Sequence, residues 1–403
     1  MIDLKALREN PQHFKDGAAK KGVRVDIDLI LSLDGQRRAL QTQRQTLAAE
    51  QGQIEKSVGP QLGRLSGELK KAGGDPGARA AIEAQMAELR AKPAAIKARV
   101  QALEEQEKQI EPKLHALLLA VPLPPDADVP VGKGSEDNAE LTRWGPAGWD
   151  FAKGFEGSRG FKPRSHIELC RDLGLVDFPR GVKMSGTRSY VLTGMGMLLH
   201  QAILRYAVDF MVHKNGFKPM SVPVLVREEC MVGTGFFPAG REQAYHIDES
   251  ARQNADAVEG QAGSLPHAGG AHDLYLTGTG EVGLMGLHQD EVLDEAQLPL
   301  RYVTVSTCFR REAGAAGKDT AGLYRVHVFD KVEQVVICRA DEQESRRWHR
   351  TMIGYVEQLL QSLELPYRLL RCCTGDLGVK NADMVDIECW MPGRGGGGWK
   401  TAG

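Results

Sequence analysis

Leu33, Leu40, Leu47 and Ile54 recur every seven residues in a stretch otherwise made of Gln, Arg, Glu and Ala. Further along, Ile82, Met86, Leu89, Pro93, Ile96, Val100, Leu103, Glu107, Ile110, Leu114 and Leu117 follow a 4-3-4-3 spacing, and nine of these eleven positions are apolar. Such a seam is that of a coiled coil. Residues from about 27 to 119 are nearly free of aromatics, as long helices are. "KAGGDPGA" between the two runs reads as a turn. Two arms of similar length, each about 60 Å at ~1.5 Å per residue, joined by a tight turn, predict an antiparallel helical hairpin. Gly59-Pro60 and Pro93 predict kinks, because proline removes a helical hydrogen bond.

The pattern changes at "VPLPPDADVPVGKG", 121–134, whose four prolines predict an extended linker. Aromatics then appear: Trp144, Trp149, Phe151, Phe155 and Phe161. "MLLHQAILRYAVDFMVHKN", 197–215, and "RRWHRTMIGYVEQLLQSL", 346–363, read as helices. "FKPMSVPVLV" reads as extended, and "LRYVTVSTCF" and "YRVHVFDKVEQVVIC" as two long strands joined by a loop at 313–322. Residues 249–273 are polar and Gly/Ala-rich and read as a mobile loop. Helices around an antiparallel sheet, without the βαβ rhythm, predict an α+β fold. The expected division is 1–120 for the helical arm, 121–134 for the linker and 135–403 for a second domain.

Composition narrows the classes. At 403 residues and 42% hydrophobic, the chain can bury two cores. A formal net charge of -2 makes any nucleic-acid footprint local. Between residues 28 and 118 there are 14 Lys+Arg and 12 Asp+Glu, an excess too small to predict RNA binding. Arg37, Arg38 and Arg44, among many glutamines, give the first helix a face able to meet phosphates. A spacer or dimerisation arm and a probe for a large partner both fit. No run of 18 apolar residues exists and the N-terminus has no signal core, which predicts a cytosolic protein without membrane contact. Seven scattered cysteines without a C-x-x-C pair predict reduced, buried thiols.

The densest chemistry lies in "CFRREAGAAGKDTAGLYRVHVFDKVE", 308–333. Arg310 and Arg311 are adjacent, so on a strand one of them faces any site. Alternation places Arg310 and Glu312 on one face, where Glu312 pairs with Arg310 or accepts from a nucleobase amino group. Phe329 either packs in the core or offers a stacking platform, and Glu333 shares its face. Thr279 and Glu281 in "YLTGTGEV" stand two apart on an extended segment, either as a polar turn or as a place for an ammonium and a small polar side chain.

In their order, the helical arm, the proline linker, "VPVL", "GTGFFP", "TGE", the 308–333 stretch and "CTGDLG" resemble bacterial seryl-tRNA synthetases, which are class II aminoacyl-tRNA synthetases. The resemblance runs from Met1 to about Gly398. It implies a tRNA-binding arm, carrying Arg37, Arg38 and Arg44, that reaches across a homodimer to tRNA(Ser). It implies a class II catalytic domain with an antiparallel sheet flanked by helices, and a dimer-interface motif with Pro223. Serine binding falls to Thr279, Gly280, Glu281, Arg310 and Glu333. ATP binding falls to Arg310, Arg311, Glu312, Val326 and Phe329. The implied reaction activates L-serine with ATP and Mg2+ and transfers it to tRNA(Ser), with tRNA(Sec) as a further acceptor. The chain departs at Gly280, where the family commonly has Ala, at Ala321, where it has Arg, and at Val328, where it has Gln.

After "DIECWMPG" the family continues into a strand that meets ATP and magnesium, and then into the third class II motif. By this resemblance the present chain is truncated before that motif. The sheet is then expected to lack a strand and the metal ligands to lie outside the sequence, so no metal-binding residue is assigned. Gly395 to Trp399 implies a guanine-rich coding run, and a shifted frame or a truncated gene model is the expected cause. The competing readings are an inactive homologue that keeps tRNA binding, and a ligase that loads carrier proteins. The helical arm argues against the second.

Overall fold

The computed structural model describes residues 2–71, 76–247, 273–313, 321–391 and 398–401. The centre of the expected turn, nearly all of the expected loop at 249–273, most of the loop at 313–322 and Gly395 to Gly397 lie outside the described residues. The described chain divides into two compact units, one of residues 2–19 with 23–122, the other of residues 20–22 with 123–401.

The first unit holds α1 (Leu4–Glu9), α2 (Pro11–Lys20), α3 (Ile27–Lys71) and α4 (Pro76–Leu119). The 4-3 seam of α4 reads directly in the burial: all eleven predicted positions are buried or half-buried, among mostly exposed neighbours. Leu33, Val58 and Leu65 of α3 and Met86, Ile96 and Leu114 of α4 are buried. Pro60, Pro93 and Pro112 stand inside unbroken helices. At the base, Leu7 and Phe14 from α1 and α2 pack with Ile27, Ile30, Leu33, Leu114 and Leu118 in one core. There Asp34, fully buried, is met by Arg8 at 2.9 Å, Arg38 at 3.0 Å and Arg37 at 3.2 Å.

The second unit is α+β. In chain order it contains β1 (Ala139–Trp144), α5 (Met195–Asp209), β2 (Lys218–Met220), β3 (Leu225–Arg227), β4 (Tyr245–Ile247), β5 (Leu274–Leu276) and α6 (Glu281–Gly286). Next come β6 (Leu300–Phe309), β7 (Val328–Ile337), α7 (Glu342–Ser362), β8 (Tyr367–Arg371), β9 (Val385–Met391) and β10 (Gly398–Thr401). One sheet runs β2-β6-β7, with β2 parallel to β6 and β6 antiparallel to β7. Another runs β1-β8-β9-β10, antiparallel throughout. Among the described residues no strand joins the two. No helix of the described residues is long and apolar enough to cross a membrane.

In the proline segment, Leu123 and Asp126 donate backbone hydrogen bonds to Val379 and Ala382, and Pro130 accepts one from Thr374. Two expectations change. The second long strand begins at Val328, not Tyr324, so Tyr324 to His327 form irregular chain ahead of it. The segment at Trp399 to Thr401, expected to supply no strand, forms β10 on β9. Aromatic packing explains it. Trp399 stacks on Phe151 at 6.0 Å and meets Trp390 edge-on at 5.1 Å, contacts that favour extended chain beside a sheet. All seven cysteines are free, five of them buried.

Candidate active site

The antiparallel pairing of β6 with β7 sets Thr304 opposite Glu333 and Cys308 opposite Phe329. Phe329 and Glu333 stand four apart on β7 and share a face. β5 leads into Thr277, Gly278 and Thr279, which runs beside this hairpin: Phe309 donates a backbone hydrogen bond to Thr277. Thr279 is buried, and its hydroxyl bonds Glu333 Oε2 and accepts from Lys331 Nζ at 2.7 Å. Lys331 also pairs with Glu333. Glu281 pairs with Lys380 at 2.8 Å.

Thr279 and Glu281 do not lie on an extended segment as expected. Glu281 opens α6, and its backbone N–H donates to Thr279 Oγ1, which turns the chain into the helix. The glycine between them has a local cause. A Cβ on Gly280 would stand 2.6 Å from Thr304 Cγ2 and 2.9 Å from Ser306 Oγ. The buried Thr304 and Ser306 of β6 fill the space where an alanine methyl would go.

Arg310 and Glu312 do not share a strand face either. β6 ends at Phe309, and Glu312 has a φ of 52°, so strand alternation no longer applies. Arg310 lays its guanidinium over the Phe329 ring, 5.1 Å from the centroid, and its Nε reaches Gly278 O at 3.4 Å. Its backbone N–H donates to His327 O, and His327 Nδ1 meets Arg310 O at 3.0 Å. Glu312 pairs with Arg325 at 2.9 Å rather than with Arg310. Arg311 is exposed, and its backbone N–H donates to Gln243 O. Gln243 also grips Ala313 with its side-chain amide, at 2.7 and 3.2 Å. Val326 is buried below, and the two departures at Ala321 and Val328 are exposed. A cavity of about 320 Å³ opens beside these groups, lined by Phe236, Gln243, Gly278, Phe309, Arg310 and Glu312.

The structure therefore gathers Thr279, Gly280, Glu281, Arg310, Phe329 and Glu333 around one junction. It adds Arg325, Lys331, Lys380 and Gln243, which the sequence reading did not name. Lys331 and Arg325 were within the motif but carried no spacing signal, and Lys380 lies 99 residues from its partner Glu281. Pro223 is exposed, with its carbonyl against Gly283 of α6. Arg37, Arg38 and Arg44 belong to the other unit. Arg44 bonds Glu104 and approaches Glu107, both of α4. Arg37 and Arg38 bond Asp34, and of the three Arg38 is the most exposed, at 55% of its side chain.

Among the described residues, Cys372, Asp376 and Asp386 bring three donor atoms within 4.8 Å of one another. Burial first, then the nearby Asp386 and Asp376 charges, push the Cys372 thiol up to about 12. A protonated thiol is a poor partner for magnesium, which takes oxygen ligands in near-octahedral geometry. This set does not fit that ion.

Two family descriptions match the chain: the seryl-tRNA synthetase N-terminal domain over residues 1–125, and the class II tRNA synthetase core domain (G, H, P, S and T) over 267–401. A serine–tRNA ligase of Dictyoglomus turgidum is 36% identical over 399 residues, covering 98% of this chain and 81% of its own. A crystal structure of seryl-tRNA synthetase from Pyrococcus horikoshii complexed with ATP superposes with a TM-score of 0.77 at 35% identity, over 99% of this chain and 83% of its own. The cytoplasmic serine-tRNA ligase of Naegleria fowleri in complex with AMP gives 0.73 at 26%, over 97% and 79%. The hairpin arm and the α+β unit thus go with what the comparisons show: this chain belongs to the seryl-tRNA synthetase family of class II aminoacyl-tRNA synthetases.

Proposed function

We propose that the chain is a serine–tRNA ligase that couples ATP to the activation of L-serine and passes the seryl group to tRNA(Ser). One observation carries the site assignment. Thr279, Glu281 and Glu333 present hydroxyl and carboxylate groups beside a cation, Arg310, that lies on an aromatic platform, Phe329. A serine ammonium fits the carboxylates, and its hydroxyl fits the buried Thr279–Glu333 pair. A site built to hydrogen-bond that hydroxyl rejects alanine, whose binding leaves these polar groups unpaired.

For adenine to stack on Phe329, the Arg310 guanidinium has to leave that ring face, which frees it for the phosphates. The serine carboxylate then attacks the α-phosphorus, the bond to pyrophosphate breaks, and the adenylate forms. In the second step the terminal ribose hydroxyl of tRNA attacks the seryl carbonyl and AMP leaves. Arg310 stabilises the developing phosphate charge, Glu312 and Val326 border the nucleotide, and no protein nucleophile takes part. Arg311 is assigned to the same nucleotide side.

The arm is the assigned tRNA contact, and of Arg37, Arg38 and Arg44 the most exposed is Arg38. A homodimer, with Pro223 at its interface, is supported by α5. Met195, Leu199, Ile203 and Tyr206 recur at 4-4-3 spacing and are 67%, 55%, 46% and 41% exposed. Such a stripe on a soluble helix calls for a covering surface. A cytosolic location goes with this assignment. The test is serine-dependent exchange of pyrophosphate into ATP, run with alanine as a control and with the F329A variant. Exchange with serine alone is expected, with the variant's affinity for ATP lower by about five- to 150-fold from lost stacking. No serine-dependent exchange rejects the reading.

A further inference from the structure

Both carboxylates assigned to the amino acid are held by lysines of this chain. Glu333 has Lys331, its near neighbour on β7. Glu281 has Lys380, which comes from the segment between β8 and β9. Lys380 is built into a slot made by a third segment. Its Nζ lies 4.0 Å from the centroid of the Phe236 ring and donates to Thr234 O at 3.3 Å. Its stem runs along Gly235, where the backbone has a φ of 72° and an added Cβ would come within 3.2 Å of Lys380 Cβ. A carbonyl, an aromatic face and a carboxylate together are what a bound ammonium needs.

We infer that Lys380 is a competitor built into the ammonium subsite, a positioning residue that lowers the affinity for the amino acid. The inference rests on Glu281 as the group that receives the substrate's ammonium. Lys380 Nζ carries the same charge and the same three donors as that ammonium and already bonds Glu281 Oε1. An entering amino acid must share this carboxylate or displace the lysine. The pair is partly exposed, with side chains 30% and 35% accessible, so exchange is not blocked by burial. Its effect is to raise KM for the amino acid, while KM for ATP, whose phosphates are assigned to Arg310, is untouched.

The test is Lys380→Met, which keeps the apolar stem against Gly235 and Phe236 and removes the charge. Two readouts are taken. The first is KM for serine and for ATP in pyrophosphate exchange. The second is equilibrium binding of a non-hydrolysable seryl-sulfamoyl adenosine and of its counterpart lacking the amino group. Serine KM is expected to fall about two- to five-fold, the range of a partly exposed ion pair, with ATP KM unchanged. The amino-bearing analogue is expected to bind tighter by the same factor, and the counterpart not at all differently. In an E281Q background the effect is expected to disappear, which a purely structural role for Lys380 does not predict. An unchanged or raised serine KM, with analogue binding unaltered, overturns the inference and leaves the ligase reading standing. Absent exchange in both proteins, with tighter binding of the amino-bearing analogue in the variant, rejects the ligase reading and keeps the inference. If exchange is absent and binding does not differ, both fall.

Discussion

Asp34 shows how one residue anchors a long element. It is fully buried, and three guanidinium groups converge on it. Burial works against its charge, but the hydrogen bond and attraction from Arg8, with Arg38 and Arg37, hold its carboxyl below the usual range. A depressed folded pKa means stabilisation that is present above the unfolded value of ~3.9 and is lost as pH falls through the folded one. D34N is therefore expected to destabilise the arm by about 1–3 kcal/mol near neutral pH. The difference should shrink towards zero as the pH is taken well below 4, read by urea melts of both proteins across that range. Equal destabilisation at pH 7 and in strong acid removes the ion-pair explanation.

Elements differ in how they were specified. The α4 seam was legible because its 4-3 repeat is a statement about faces, and burial follows faces. β6 was legible because its apolar run ends where the chain leaves the sheet, at Phe309. Arg310 to Glu312 were not, because a positive φ at Glu312 breaks the alternation on which the pairing was argued. Their partners Arg325 and Gln243 are reached through chain reversals that no local pattern encodes, and the same holds for Lys380 and Glu281. The arm itself carries a testable gradient. Leu114 sits in the multi-helix core at its base, whereas Ile96 is buried by the hairpin partner. L114A is expected to cost about 3–5 kcal/mol and I96A about 2, measured by thermal melts followed at the helical ellipticity. Equal costs would mean that the base contributes no extra packing.

For the whole molecule, the exposed stripe of α5 predicts self-association. L199E is expected to shift the protein from dimer to monomer in sedimentation experiments at micromolar concentration, with its fold retained because Leu199 is 55% exposed. A wild-type chain that is monomeric under the same conditions rejects the dimer. The two sheets, β2-β6-β7 and β1-β8-β9-β10, serve different ends: the first carries Phe329 and Glu333, the second packs the tryptophans. The Asp34 knot has a mechanical side as well. α3 is 45 residues long, so its far end stands roughly 67 Å from its start at ~1.5 Å per residue. Over such a lever, a tilt of one degree at the root moves the tip by about 1 Å, a third of a hydrogen bond's length. Aim at the tip is thus set by rigidity at the root, where Arg8 of α1 and Arg37 and Arg38 of α3 clamp a single carboxylate.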